Sequence, residues 1–214
     1  MFDFIEVKFK DIVDIPRLNI GEGLTVMLGP SGGGKTTILR MLNKMISPTQ
    51  GRILYNGQEL KSIKSVEHRR RVMMLSQSPA MFDGTIRDNL TAALRFQERE
   101  APGDGELYNT LAKLQLDKDL DTPVQQLSGG ERQRIAMGRL LLCDPEAYLL
   151  DEPSSALDED TEDAIIKVVA EQVRTARKTV LMVTHSRLIA DRYADQVIEI
   201  WDGKVRRNGH EHDN

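Results

Sequence analysis

The sequence predicts an α/β fold organised around a parallel sheet, and three observations predict it. Residues 29–37 read Gly-Pro-Ser-Gly-Gly-Gly-Lys-Thr-Thr, set between an apolar run and a helix-periodic one. Residues 147–153 read Ala-Tyr-Leu-Leu-Asp-Glu-Pro, an apolar strand delivering two acids at its end. From about residue 145 strand-like runs alternate with helical patterns, as in βαβ units.

The elements follow in order. Residues 1–60 read as strands and turns interrupted by the glycine loop and its helix. Leu24–Leu28 is a short apolar run suited to a buried strand. Behind the loop, Ile38, Leu39, Leu42, Met45 and Ile46 recur at helical spacing until Ser47-Pro48, where proline stops the helix. Gly51–Tyr55 is a strand entering an Asn56-Gly57 hairpin turn, and Val72–Leu75 is another strand. Residues 78–138 change character: helical patterns at Thr85–Arg99 and Leu107–Leu114 flank the loop Ala101-Pro-Gly-Asp-Gly105. Val180–Val183 and Val197–Ile200 are strands, and Asp202-Gly203 turns into a last short one. Residues 208–214 are polar and expected to fray. No internal repeat or low-complexity linker is visible, and no room is expected for an appended regulatory domain.

Composition bounds the function. A chain of 214 residues suits one sizeable domain, or one core with a subdomain. No run approaches bilayer length, and the acidic start Met1–Glu6 is unlike a signal peptide. A net charge of −4 argues against a nucleic-acid partner, so Arg69-Arg70-Arg71 reads as a solvated face. Cys143, among Leu140, Leu141 and Leu142, reads as a buried core thiol, which suits a reducing compartment.

Three motifs carry chemistry. Residues 29–36 fit G-x-x-x-x-G-K-[ST], in which backbone amides wrap nucleotide phosphates. Gly29, Gly32, Gly33 and Gly34 let successive N–H groups point inward, and the following helix end adds partial positive charge. Lys35 is then the β/γ-phosphate lysine, and the Thr36 hydroxyl a Mg²⁺ ligand. Asp151, delivered by its strand beside that loop, would hold Mg²⁺. Glu152 lies one residue further, points elsewhere and is placed to act as general base toward water.

The third motif is Leu127-Ser-Gly-Gly-Glu131. Ser128 and Glu131 form a capping box, which by itself explains both residues. Two glycines at the first helical positions are poor helix formers, yet they leave an uncovered end with open amides. One nucleotide already belongs to residues 29–37, so a second phosphate grip implies a second molecule. The economical arrangement is a symmetric head-to-tail pair in which Ser128 and Gly130 of each chain close over its neighbour's ATP.

Together, Gly29–Thr37, Gln77, Leu127–Gln133, Ala147–Glu152, Ser155-Ala-Leu-Asp158 and His185 resemble the nucleotide-binding subunit of an ABC transporter. The resemblance covers nearly the whole chain in the family's order. It implies a P-loop NTPase of the ABC ATPase type, with a RecA-like core, an antiparallel β subdomain and an inserted α-helical subdomain. Residues 1–214 would form one ATPase domain, with 1–77 and 139–214 as core and 78–138 as the helical part.

The implied cofactors are ATP and Mg²⁺. ATP would meet Gly29, Pro30, Ser31, Gly32, Gly33, Gly34, Lys35, Thr36 and Thr37, and across the dimer Ser128, Gly129 and Gly130. Mg²⁺ would be held by Thr36, Gln77 and Asp151. Catalysis would fall to Glu152, His185, Lys35 and Gln77, with Asp158 at the dimer seam. His185 alone also reads as ordinary turn chemistry after a strand. The family stacks an aromatic residue on adenine, and Phe9 is the one aromatic near the right place, with a core role as its alternative. Met81 and Phe82 would either receive short helices of membrane subunits or belong to the subdomain core.

The implied partners are a second copy in the ATP-bound state and integral membrane permease subunits, at the cytoplasmic face of the cell membrane. The rival reading is a soluble, non-transport ABC ATPase. The short N-terminus and the stretch from Ile46–Gly51 through Phe82–Leu90 also look similar to small bacterial subunits proposed to act in iron export.

Overall fold

Two sheets frame the computed structural model, which describes residues 1–206; the segment 208–214 lies outside the described residues. The first sheet is antiparallel. Strand β1 (Phe2–Phe9) pairs with β2 (Val13–Ile20) on one side and β4 (Gln50–Tyr55) on the other, and β5 (Gln58–Glu59) lies beyond β4. Phe2 and Phe4 are buried on one face, but the next buried residue is Val7. The parity changes because Glu6 takes a left-handed φ of 51° and the register with β4 shifts between Ile5 and Lys8. This is a β-bulge, and it re-aims the rest of the strand. The opposing Gly51 is required there, since a Cβ on it would lie 2.1 Å from the Glu6 carbonyl oxygen. Asn56 and Gly57, at φ 51° and 80°, make the expected hairpin turn with both residues left-handed.

The second sheet has the order β10 (Lys204–Arg206), β9 (Gln196–Trp201), β3 (Gly23–Leu28), β8 (Thr179–Val183), β7 (Ala147–Asp151), β6 (Val72–Leu75). All pairs are parallel except β10 with β9, a hairpin turned at Asp202-Gly203. Both faces of this sheet are covered, so its central strands are largely apolar, with Thr25, Thr179 and Asp151 as the buried polar exceptions. Met27, Leu149, Leu181 and Val183 face one core, shared with the antiparallel sheet and helix α1 (Lys35–Leu42). Val26, Tyr148, Leu150, Val180 and Met182 face the other. There they meet α3 (Ile86–Phe96), α4 (Asp104–Lys113), α5 (Gly129–Cys143), α6 (Glu159–Ala176) and α7 (Arg187–Tyr193). The short α2 (Ser65–Arg71) leads into β6. Helices α3, α4 and α5 are inserted between β6 and β7, and α5 runs unbroken through residues 138 and 139.

Three expected boundaries need correction. The helix after the glycine loop ends at Leu42, not at Ser47-Pro48. Lys44 at φ 57° breaks it, with its amide bonded to Met41 O, and Asn43 is pinned by its side-chain amide donating to Val72 O. Met45, expected on the apolar face, is 60% exposed as a result. The expected helix 85–99 begins after Thr85, which caps it in a reciprocal box with Asp88, and ends at Phe96. The loop expected through Gly105 closes at Gly103, because Asp104 already opens α4, where an acid suits the helix dipole.

Candidate active site

The loop at 29–34 crosses from the end of β3 to the start of α1. Gly29 has φ 140°, and a Cβ there would sit 2.0 Å from the Ile200 carbonyl oxygen of β9. Gly34 takes the cap position of α1 at φ 95° with no side chain over the helix end. The loop is thus pressed against the sheet, with the Gly33 amide donating back to Pro30 O at 3.2 Å and no side chain over the end of α1, the geometry of an anion cradle. The buried Lys35 Nζ donates to the carbonyls of Gly29 and Pro30, both at 2.8 Å. Burial draws its pKa down, while the charges of Glu152 and Asp151 oppose that shift.

Parallel strands bring the two acids to this loop. The Thr36 hydroxyl donates to Asp151 Oδ1 at 3.0 Å. Asp151 is 5% exposed, and burial raises its pKa, with the Thr36 bond pulling down and Glu152 pushing further up. Glu152 leaves the strand with a left-handed φ of 48°, its amide still donating to Val183 O at 3.0 Å. That turn throws its carboxylate away from Asp151. Its Oε2 accepts from Gln77 Nε2 at 2.7 Å, and its Oε1 lies 3.1 Å from His185 Nε2. A cleft of about 500 Å³ is lined by residues 31–37 together with Gln77, Glu152 and His185.

Most of the residues singled out in the sequence therefore meet in one place. Gly29 and Pro30 meet it through the carbonyls that hold Lys35. Gln77, expected both at the metal and in catalysis, donates to the Glu152 carboxylate. Phe9 is not brought to the cleft: it is half-buried and packs against the core beneath the antiparallel sheet. The apolar residue that lines the cleft is Ile12, 43% exposed in the turn after β1. The short β1–β2 connection places an aliphatic side chain where an aromatic was expected.

Ser128, Gly129 and Gly130 open α5 outside this cleft. The capping box is present: Ser128 Oγ accepts from Glu131 N at 3.3 Å and Glu131 Oε2 from Ser128 N at 2.8 Å. That amide, reinforced by Lys118 at 3.0 Å, holds the Glu131 carboxyl below its usual range. Ser128 and Gly129 are exposed, whereas Gly130 lies against the Ala156 carbonyl, where a Cβ would approach to 2.9 Å. Asp158 caps α6, accepting from the Thr161 amide at 3.0 Å and hydroxyl at 2.8 Å.

Two residues make contacts that the sequence did not announce: Gln133, named there only as the end of the Leu127–Gln133 motif, and Arg139. Gln133 is 3% exposed and its amide nitrogen lies 3.5 Å from the Glu152 carbonyl oxygen. The available signal was a glutamine on the face of α5 that carries Ile135, Ala136 and Met137 inward. Ala80 and Asn89 accept hydrogen bonds from Arg139, a long-range pairing with no local pattern to announce it.

Comparison with known proteins agrees with this geometry. A family model described as "ABC transporter" matches residues 16–155. The chain is 38% identical over 202 residues to Protein STAR1 of Oryza sativa subsp. japonica, covering 94% of this chain and 58% of that protein. Against ABC transporter I family member 17 of Arabidopsis thaliana the identity is 35%, covering 90% and 72%. Among solved structures, "Dimeric structure of a post-hydrolysis state of the ATP-binding cassette MJ0796 bound to ADP and Pi" matches with a TM-score of 0.84 at 28% identity, covering 97% of both chains. "Structure of a bacterial Atm1-family ABC exporter with ATP bound" matches at 0.83 and 26% identity, covering 96% of this chain and 38% of that one. The chain spans about three fifths of the rice protein's length. The chain belongs to the ABC transporter family and carries that family's ATP-binding cassette.

Proposed function

We propose that this chain binds ATP in the cleft of residues 29–37 and hydrolyses it within a pair of chains, driving solute movement through a membrane-spanning partner. The observation that carries the reading is the Glu152 carboxylate, turned by a left-handed backbone out of β7 and fixed between Gln77 and His185. A carboxylate so placed accepts the proton of an attacking water as its oxygen forms the new bond to the γ-phosphorus. The bond to the β,γ-bridging oxygen breaks, giving ADP and inorganic phosphate. Lys35 exchanges the Gly29 and Pro30 carbonyls for phosphate oxygens, and the amides at the start of α1 hold the rest.

The Thr36 hydroxyl and Asp151 carboxylate are adjacent hard oxygen donors and fit Mg²⁺. When bound, the ion would neutralise charge on the phosphates. His185 holds the Glu152 carboxylate in orientation from the side opposite Gln77. Ser128 and its neighbouring amides complete the pocket of the second copy.

Residues 78–138 would act as the helical subdomain that passes opening and closing to the membrane partner, at the cytoplasmic face of a membrane. Among the described residues no helix is long and apolar enough to cross a membrane, so the path for solute is assigned to another polypeptide segment. The test is Glu152→Gln in the full chain. ATP affinity should stay within about threefold of wild type while turnover falls by about 1000-fold. Unchanged turnover would refute the assignment of Glu152.

A further inference from the structure

Arg139 presents an unusual pairing. It is half-buried on α5, and among the described residues no carboxylate pairs with it. Its guanidinium is spent on one short stretch of chain. Nε donates to Asn89 O at 2.9 Å, one terminal nitrogen to Asn89 Oδ1 at 3.0 Å and the other to Ala80 O at 3.1 Å. The Phe82 ring lies over it, 4.8 Å from its central carbon. Asn89 is fully buried and completes the lattice: its side-chain nitrogen donates to the carbonyls of Phe82 and Thr85, and its oxygen also accepts from Phe82 N.

A desolvated cation without an anion is unfavourable, so a purely structural position would be filled more stably by an apolar side chain. What the planar fork provides, and methionine or leucine does not, is a fixed distance to several acceptors at once. One acceptor, Ala80 O, lies three residues after Gln77; the other two are on Asn89 of α3, whose side chain holds the Phe82 backbone in turn. Arg139 sits on the helix that Ser128 caps. The Gln77 amide in turn bonds the Glu152 carboxylate at 2.7 Å.

We infer that Arg139 is a positioning residue for ATP hydrolysis: it locks residues 80–82 to α5 and thereby holds Gln77 against Glu152. The inference rests on the proposed function, because it acts through the base assigned there. It also links α5, through residues 80–82 and Gln77, to the catalytic carboxylate of its own chain, so that displacement of the Ser128 end is felt at Gln77. The Phe82 ring, 37% exposed on the outer side of this lock, is its accessible edge.

The test uses the purified full chain with ATP and Mg²⁺, and compares Arg139→Lys, Gln77→Ala and the double variant. Lysine keeps the charge but cannot fork or stack. Arg139→Lys should lower kcat by about tenfold while KM for ATP stays within about twofold, the mark of an interaction made in the transition state. The double variant should be no slower than Gln77→Ala alone, because both act on one linkage. Multiplied losses, a raised KM with kcat retained, or wild-type kinetics in Arg139→Lys would each overturn the inference. Should Arg139→Lys fail to fold, Phe82→Leu removes the ring that lies over Arg139, along with its edge contact to Phe96, and should show the same loss of kcat in weaker form and the same non-additivity; wild-type kcat in that case overturns the inference. Glu152→Gln, assayed in parallel, separates the two readings: its loss of turnover supports the proposed function whatever Arg139→Lys does.

Discussion

The hydroxyl of Thr36 donates to the carboxylate of Asp151 across 3.0 Å, joining the first turn of α1 to the end of β7. Asp151 is almost fully buried, and this bond is the one side-chain hydrogen bond that offsets the upward push of desolvation on its pKa. The pair therefore sets a buried acid, its pKa raised by desolvation and drawn back by the Thr36 bond, directly beside the phosphate loop.

Removing the donor tests that role. Thr36→Val preserves shape but leaves a buried carboxylate short of a partner, which costs about 1–3 kcal/mol. Its melting temperature should fall, and its turnover should drop by about 100-fold. Chelation by EDTA should abolish wild-type turnover and leave Thr36→Val with little further to lose. Equal EDTA sensitivity and equal rates in the two proteins would contradict a Mg²⁺ site at Thr36 and Asp151.

Gly29 is a steric requirement. At φ 140° with the Ile200 carbonyl 2.0 Å from where a Cβ would stand, Gly29→Ala is strained in backbone and contact together. Backbone strain of this kind costs about 1–3 kcal/mol before any clash. The urea midpoint should fall and ATP affinity should weaken, since relief requires the loop to lift from β9. A variant with unchanged midpoint and affinity would show that the loop rests elsewhere.

His68 makes the fold acid-sensitive. It is fully buried; its Nε2 donates to Leu42 O at 2.7 Å, and its Nδ1 has no partner among the described residues. Burial lowers its pKa, the Leu42 bond opposes this, and Lys44, Arg71 and Arg69 lower it further. The unfolded chain, with a histidine pKa near about 6.5, takes up this proton first. Stability contributed by neutral His68 is thus fully present above that value and is lost as pH falls toward the folded pKa. The urea midpoint should decline between about pH 7.5 and about pH 5.5, and less steeply in His68→Gln. Identical slopes would remove His68 from the account.

The site was more legible than the joints around it. Residues 29–37 and 147–152 are contiguous runs whose roles follow from local turn and strand chemistry, so spacing alone brought Lys35, Thr36, Asp151 and Glu152 together. The end of α1 was misread because Leu42, Met45 and Ile46 keep a helical period past the break. A left-handed Lys44 carries no compositional signal as strong as proline's. Phe9 takes the core role that the sequence offered as its alternative, because the Glu6 bulge changes which side chains of β1 face the core, and alternation cannot show a bulge. The Arg139 lock joins residues 50 and 59 positions apart, a pairing that only the folded chain displays.

The central claim is that one chain supplies Lys35 and Glu152 while a second supplies Ser128 to the same nucleotide. The direct measurement is the ATP turnover rate per chain as chain concentration is raised from nanomolar to micromolar, for wild type and Ser128→Arg. The account predicts a per-chain rate that climbs with concentration to a plateau in the wild type and stays near background in Ser128→Arg. A per-chain rate independent of concentration, and untouched by Ser128→Arg, would contradict it.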